Sequence, residues 1–229
     1  MNTFMAELAA DPDYQARIAA QDMEHECIVQ RNRVDAAPLA SALAELGFTV
    51  EFPEDLLAQG VEYRAAIPLL IRWLPRIDNP DVKCSVIRAL TVPWAGPEAA
   101  RALVEELRRT LVSPGERSAM VVFDIANALE VVADESVADD LLELSRDRRV
   151  DADARAFLVQ ALGGVPQERV VDALLDVVRQ EEDPLVLTGA LNALGRLRDR
   201  RARDIVETCT HHGDRRVRKE ALRVLKRLR

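Results

Sequence analysis

Aromatic side chains make up only 4% of these 229 residues, and glycine occurs 9 times. Strand-rich domains draw on aromatic and β-branched residues and on glycine-bearing turns, whereas the 33 alanines and 29 leucines here favour helix. Cysteine is nearly absent. Cys27, Cys84 and Cys209 are far apart, form no CxxC and cannot pair completely, so no disulfide framework is expected and a reducing, cytoplasmic setting fits. No apolar run approaches the roughly 18 residues that cross a bilayer, which excludes an integral membrane protein of the helical kind. No basic residue precedes Arg17, so the positive region of a secretory signal is not expected. Lysine is rare, 3 against 28 arginines, a bias that fits a GC-rich bacterial genome. Catalytic motifs are also missing: no GxxxxGK[ST], no GxGxxG after a strand, no HExxH and no GxSxG.

What the chain does have is a period. Leu90, Leu129, Leu162, Leu194 and Leu225 fall at spacings of 39, 33, 32 and 31 residues, the length of a stacked helix pair. Four residues before each stand Val86, Ile125, Leu158, Ala190 and Ala221. Eight before stand Val82, Val121, Ala154, Val186 and Val217. Offsets of four and eight mark one face of a helix. Eleven before come Asn79, Ser118, Asp151, Asp183 and Asp214, all residue types that cap helix N-termini. A second apolar helix precedes each capped one, with cores at Ile67, Leu70 and Leu74 in the first unit and Ile205, Val206 and Cys209 in the last. Residues 1–60 break the period. Asp11-Pro12-Asp13 starts one helix, Asp35 is expected to open another with Leu39, Leu43 and Leu46 on one face and a stop at Gly47, and Phe48, Val50 and Phe52 alternate as in a short extended segment.

The two-helix unit, with its D-x-x-V-R string at Asp214 and its A-L-G strings at Ala161 and Ala193, resembles HEAT repeats, in particular the short bacterial subtype seen in phycobilin-lyase proteins. The resemblance covers residues 61–229 and departs in the first two units, where residues 91–97 and 112–117 lengthen the connections. It implies an all-α fold, a right-handed α-solenoid of about five helix pairs over 61–229, closed at one end by an irregular helical cap over 1–60, as one continuous domain. In such repeats the second helix of each pair lines the concave face.

On that face, two residues before each leucine, come Arg88, Asn127, Gln160, Asn192 and Arg223, five hydrogen-bonding side chains without negative charge. Seven before come Lys83, Val122, Arg155, Leu187 and Arg218. One reading is a groove that recognises a peptide or loop through amide and guanidinium groups; the other is an ordinary solvated helix surface. Phe123 and Leu187 stand where exposure is expected, as a binding patch or through a displaced register. Asp124 occupies a column that is small elsewhere (Ser85, Gly189), so it is expected to bond a neighbouring helix start or to act as a partly buried acid. His25-Glu26-Cys27 and Cys209 with His211 and His212 are the only clusters of metal-ligand type; they lie at opposite ends of the chain, and no metal or cofactor is expected.

Charge is uneven. Residues 1–60 hold 3 basic and 11 acidic side chains, residues 113–197 hold 8 and 17, and residues 198–229 hold 12 and 5. The last unit therefore carries a basic set that includes Arg215, Arg216, Arg218, Lys219, Arg223 and Arg229, suited to phosphate or to an acidic protein. The acidic segment beside it disfavours a long duplex. The reading is a noncatalytic scaffold that binds a protein partner, through the concave face or the basic end, with no membrane contact. Two alternatives stand. HEAT-like DNA glycosylases use a concave Trp, Asp and Arg, but the only tryptophans here, Trp73 and Trp94, both lie in or after the first unit, and most of the chain is acidic. An accessory or chaperone-lyase role is supported by the repeat type alone. The opposite charges of the two ends also permit self-association.

Overall fold

The computed structural model describes residues 11–115 and 117–228; residues 1–10, on which the expectation of no secretory signal falls, and Arg229 of the basic set lie outside them. The described residues form eleven α-helices and no strand. Helix α1 (Pro12–Glu45) is followed by a 3-10 helix (Pro53–Gln59), then α2 (Ile67–Trp73), α3 (Pro80–Leu90), α4 (Gly96–Val112) and α5 (Ser118–Val132). The remainder comprises α6 (Ala138–Leu144), α7 (Ala152–Ala161), α8 (Glu168–Gln180), α9 (Pro184–Leu197), α10 (Arg203–Cys209) and α11 (Arg215–Arg227). Helices α3, α5, α7, α9 and α11 lie side by side in one row, and α2, α4, α6, α8 and α10 each back onto the row member that follows them. This is an α-solenoid of five helix pairs.

The periodic columns are its core. Val86, Ile125, Leu158, Ala190 and Ala221 are fully buried, as are Leu90, Leu129, Leu162 and Leu194; only Leu225, in the last helix, is half-buried. One apolar cluster runs from Ala36 of α1 to Leu228. The stretched spacing of 39 between the first two leucines reflects the 17-residue length of α4, against 7 for α6 and α10, besides the longer connections.

Small residues let the row close up. A Cβ on Gly189 of α9 would stand 2.5 Å from the carbonyl oxygen of Ala156 in α7, and one on Gly163 would stand 2.8 Å from the Cα of Ala193. The column containing Gly189 therefore faces the preceding helix one residue earlier in the repeat. The same register sets Phe157 of α7 edge-on to Phe123 of α5, with ring centroids 5.3 Å apart, and brings Asp124 of α5 against the Cys84 and Arg88 side of α3.

Several local expectations need correction. Asn79, Asp183 and Asp214 cap their helices through the side chain; Asp151 holds the cap position without that bond. Ser118 is the first helical residue rather than the cap. Arg117 precedes it in the left-handed region (φ 56), and the Ser118 hydroxyl instead closes a turn, accepting from the Gly115 N–H and donating to its carbonyl. Asp35 opens no helix, because α1 runs continuously through Pro38. Val34, whose carbonyl Pro38 cannot bond, lies among the exposed residues, where water serves it. The Asp35 carboxylate accepts from the Asn79 side chain at 2.6 Å. Leu46 is exposed, one residue past the helix end, and Phe48, Val50 and Phe52 rest half-buried on the core without forming a strand.

Two substitutions test this packing by chemical denaturation. Leu162→Ala is expected to lose about 2–5 kcal/mol through a cavity. Glycine-to-alanine inside a helix ordinarily gains about 0.5–1 kcal/mol. Gly189→Ala is expected to reverse that sign and lose about 1–3 kcal/mol from the clash with α7, whereas Gly213→Ala, with nothing within 4 Å of the new Cβ, is expected to stay within about 0.5 kcal/mol.

Candidate functional site

The candidate column, two residues before each leucine, divides by chemistry. Asn127 of α5 is exposed, and Gln160 of α7 and Asn192 of α9 are half-buried; none of the three side-chain amides makes a hydrogen bond among the described residues. The two arginines that end the column are engaged. Arg88 lies between Glu54 of the 3-10 helix (2.8 Å) and Asp124 of α5 (3.1 Å), and Arg223 grips Glu220 one turn earlier at 2.6 Å. Beside the amides, Phe123 stays 42% exposed although its ring meets Phe157. Leu187, paired with it in the sequence reading, is buried; the displaced-register alternative holds for Leu187 and the exposed one for Phe123.

The column seven before the leucines does not face solvent. Val122, Arg155 and Leu187 are buried, and Lys83 and Arg155 meet acids of the following unit. Lys83 of α3 bonds Glu106 of α4, which is 1% exposed and also takes Arg109. Arg155 of α7, 4% exposed, bonds Glu181 at 2.9 Å. Arg155 thus leaves the candidate surface. Burial alone would raise the Glu181 carboxyl, but the Asp183 N–H and the Arg155 and Arg148 guanidiniums outweigh it and hold the carboxyl below its ordinary range. The loop entering α9 is thereby pinned to α7.

In the last unit, pairing again sorts the cations. Arg216 binds the cap residue Asp214, whose carboxyl it and the Arg216 N–H pull down to about 2. Arg218 donates to the carbonyls of His212 and Gly213. Arg215, Lys219, Lys226 and Arg227 on α11, with Arg198, Arg200 and Arg203 before and at the start of α10, have no acidic partner among the described residues.

At the other end, a cavity of about 230 Å³ lies between α1, the 3-10 helix and α3, lined by Val29, Asn32, Glu54, Asp81, Cys84 and Arg88 among others. Asp124 stands behind it. Its neighbour is the Arg88 guanidinium rather than a helix start, and its buried Oδ2 accepts no hydrogen bond. Burial, then the Asp124 charge, push the Cys84 thiol up to about 12, so it stays protonated and unreactive. Among the described residues no three His, Cys, Asp or Glu side chains converge as metal ligands; the His212 Nδ1 accepts the Asp214 N–H.

The sequence reading missed Glu54, Glu106 and Glu181, whose partners are 23 to 34 positions away, nearly one repeat. The repeat register carried that signal for two of them: Glu106, in the first helix of its unit, and Glu181, just past the end of its own, answer the cations seven before the leucine of the previous unit.

Residues 138–226 match the family model of HEAT repeats, which is α6 through α11, the last three helix pairs. The chain carries HEAT repeats over these residues. No curated protein matches it.

Glu181→Gln tests the buried pair. The depressed carboxyl contributes stability that is present above its unfolded pKa of about 4.3 and lost as pH falls through the lower folded value. The variant is expected to be less stable by about 3 kcal/mol at pH 7, since Arg155 is left buried and unpaired. The deficit should shrink below about pH 4, read from urea melts across pH.

Proposed function

We propose that this HEAT-repeat protein is a noncatalytic scaffold that binds an extended segment of another protein across α5, α7 and α9. HEAT repeats generally serve protein interaction, and stacked units offer long concave surfaces. The observation that carries the reading is the unpaired amide row, Asn127, Gln160 and Asn192. Each amide offers both a donor and an acceptor, the pattern an extended backbone presents. Neighbouring helices stand about 8–10 Å apart, and an extended chain advances about 3.3 Å per residue, so one amide meets roughly every third residue. The Phe123–Phe157 ring pair beside them receives an apolar side chain of the segment. The Cys84 thiol, pushed up by burial and by Asp124, supplies no thiolate nucleophile. No described helix is long and apolar enough to cross a membrane.

Selection of linear peptides from a random displayed library, followed by calorimetry, tests the reading. Each amide removed is expected to cost about 0.5–1.5 kcal/mol, so Asn127→Ala with Asn192→Ala should weaken binding about tenfold or more. Phe123→Ala should weaken it further, with little change on raising salt. Selected peptides that bind the double variant as tightly as the unmodified protein would place the site elsewhere and overturn the proposal.

A further inference from the structure

Among the described residues, the buried contacts of helix α1 with the solenoid come from its second half. Ala36, Leu39 and Leu43 are buried, and Asn32 and Asp35 bond to the start of α3. None of residues 13–27 is buried, and Met23 is 63% exposed. That stretch is an arm of about 22 Å at 1.5 Å per residue. A free helix of such length is marginal in water, so the arm gains from a surface to rest on.

The arm carries Asp13, Asp22, Glu24 and Glu26, none in an ion pair among the described residues, against the single cation Arg17, which lies over the Tyr14 ring. At the far end of the row, α11 buries Val217, Ala221, Val224 and the following Leu228. Its opposite face presents Arg215, Lys219, Leu222 and Lys226, one helix stripe at offsets of four, three and four. Leu222 is 54% exposed, and the three cations have no acidic partner among the described residues. Asp22 and Glu26 are one turn apart, as are Arg215 and Lys219, so two helices laid along one another bring these charges into step.

We propose that the acidic arm of α1 docks on the cationic stripe of α11 in a second copy of this chain. The arm cannot reach its own α11, which stands four helix spacings of about 8–10 Å beyond α3. Arm and acceptor lie at opposite ends of the row, so two antiparallel copies exchange arms and make both contacts at once, which closes a dimer rather than extending a fibre. The half-buried Ile18 of the arm lies one turn before Asp22 and meets Leu222. This surface is separate from the amide row, and the two stand or fall independently.

Sedimentation equilibrium at about 50 mM and about 500 mM NaCl is the test, since the Debye length shortens severalfold over that range. The unmodified protein is expected to dimerise at low salt, at least about tenfold more weakly at high salt. Lys219→Glu with Lys226→Glu, or Asp22→Lys with Glu26→Lys, is expected to abolish the dimer, and an equimolar mixture of the two variants to restore association through one native and one reversed contact. The milder Lys219→Gln with Lys226→Gln serves if a reversal disturbs the helical circular dichroism. A monomer at low salt, association untouched by either charge change, failure of the mixture to associate, or displacement of the dimer by a short DNA duplex at high salt would each overturn the proposal.

Discussion

The close approach of α7 and α9 is the constraint from which much else follows. At Gly189 the helices come near enough that a methyl group would collide with a backbone carbonyl, and at Gly163 near enough to meet a Cα. Such spacing fixes the register between neighbouring units, because a helix that close cannot slide without driving side chains into the facing backbone. With the register fixed, position five before the leucine of one unit meets position six of the unit before it, and Phe157 meets Phe123 as Gly189 meets Ala156. The pair Gly163 and Gly164 leaves a further gap. Arg196 of α9 lies across it and reaches Glu130 of α5 at 3.5 Å, an ion pair that skips the intervening unit.

The same register decides which polar groups are spent internally. A cation seven before the leucine is carried toward the next unit's first helix, so Lys83 and Arg155 are consumed by Glu106 and Glu181. The column two before the leucine points away from such partners in the middle of the row. There it is neutral, and Asn127, Gln160 and Asn192 have no charge for a neighbouring acid to seek. Where the column is arginine, at Arg88 and Arg223, acids have found it. The molecule thus carries two unlike surfaces, an uncharged hydrogen-bonding row and a charged terminal helix. Salt screens the second and leaves the first nearly untouched, so they are separable by ionic strength alone.

The fold was largely legible because the signal repeats. A leucine column with alanine beside it and apolar residues four and eight before defines a helix face by period alone, and every member except Leu225 is buried. Leu225 departs because it belongs to the terminal helix, with no described unit beyond to cover it. What failed was non-repeating. Asp35 reads as a helix start ahead of the face of Leu39, Leu43 and Leu46, yet α1 runs on through it, because a proline on the water side of a long helix interrupts one hydrogen bond without ending the helix. Ser118 was taken by its residue type as a cap, while the left-handed Arg117 moved the helix start. The site was legible only as a column. Whether a given member is free depends on acids nearly a repeat away, which is a property of stacking rather than of local pattern, and so Arg155 and Asn127 looked alike in sequence and differ in the fold.

The two ends of the row are finished by different physics. At the α3 end, the Asn79 side chain accepts from the N–H groups of Asp81 and Val82 while donating to Asn32 and Asp35 of α1. One residue therefore caps its own helix and fastens α1, and the buried Leu39, Leu43 and Leu56 cover the apolar side of the stack. At the α11 end nothing described covers the last helix. Its outward face is kept in water by Arg215, Lys219 and Lys226 instead. An end closed by apolar cover has no remaining demand, since its surface is already buried. An end closed by like charge keeps one, because unpaired cations set close on a single helix repel one another and are relieved by any acidic surface that matches their spacing. The solenoid is therefore polar in its chemistry as well as in its chain direction.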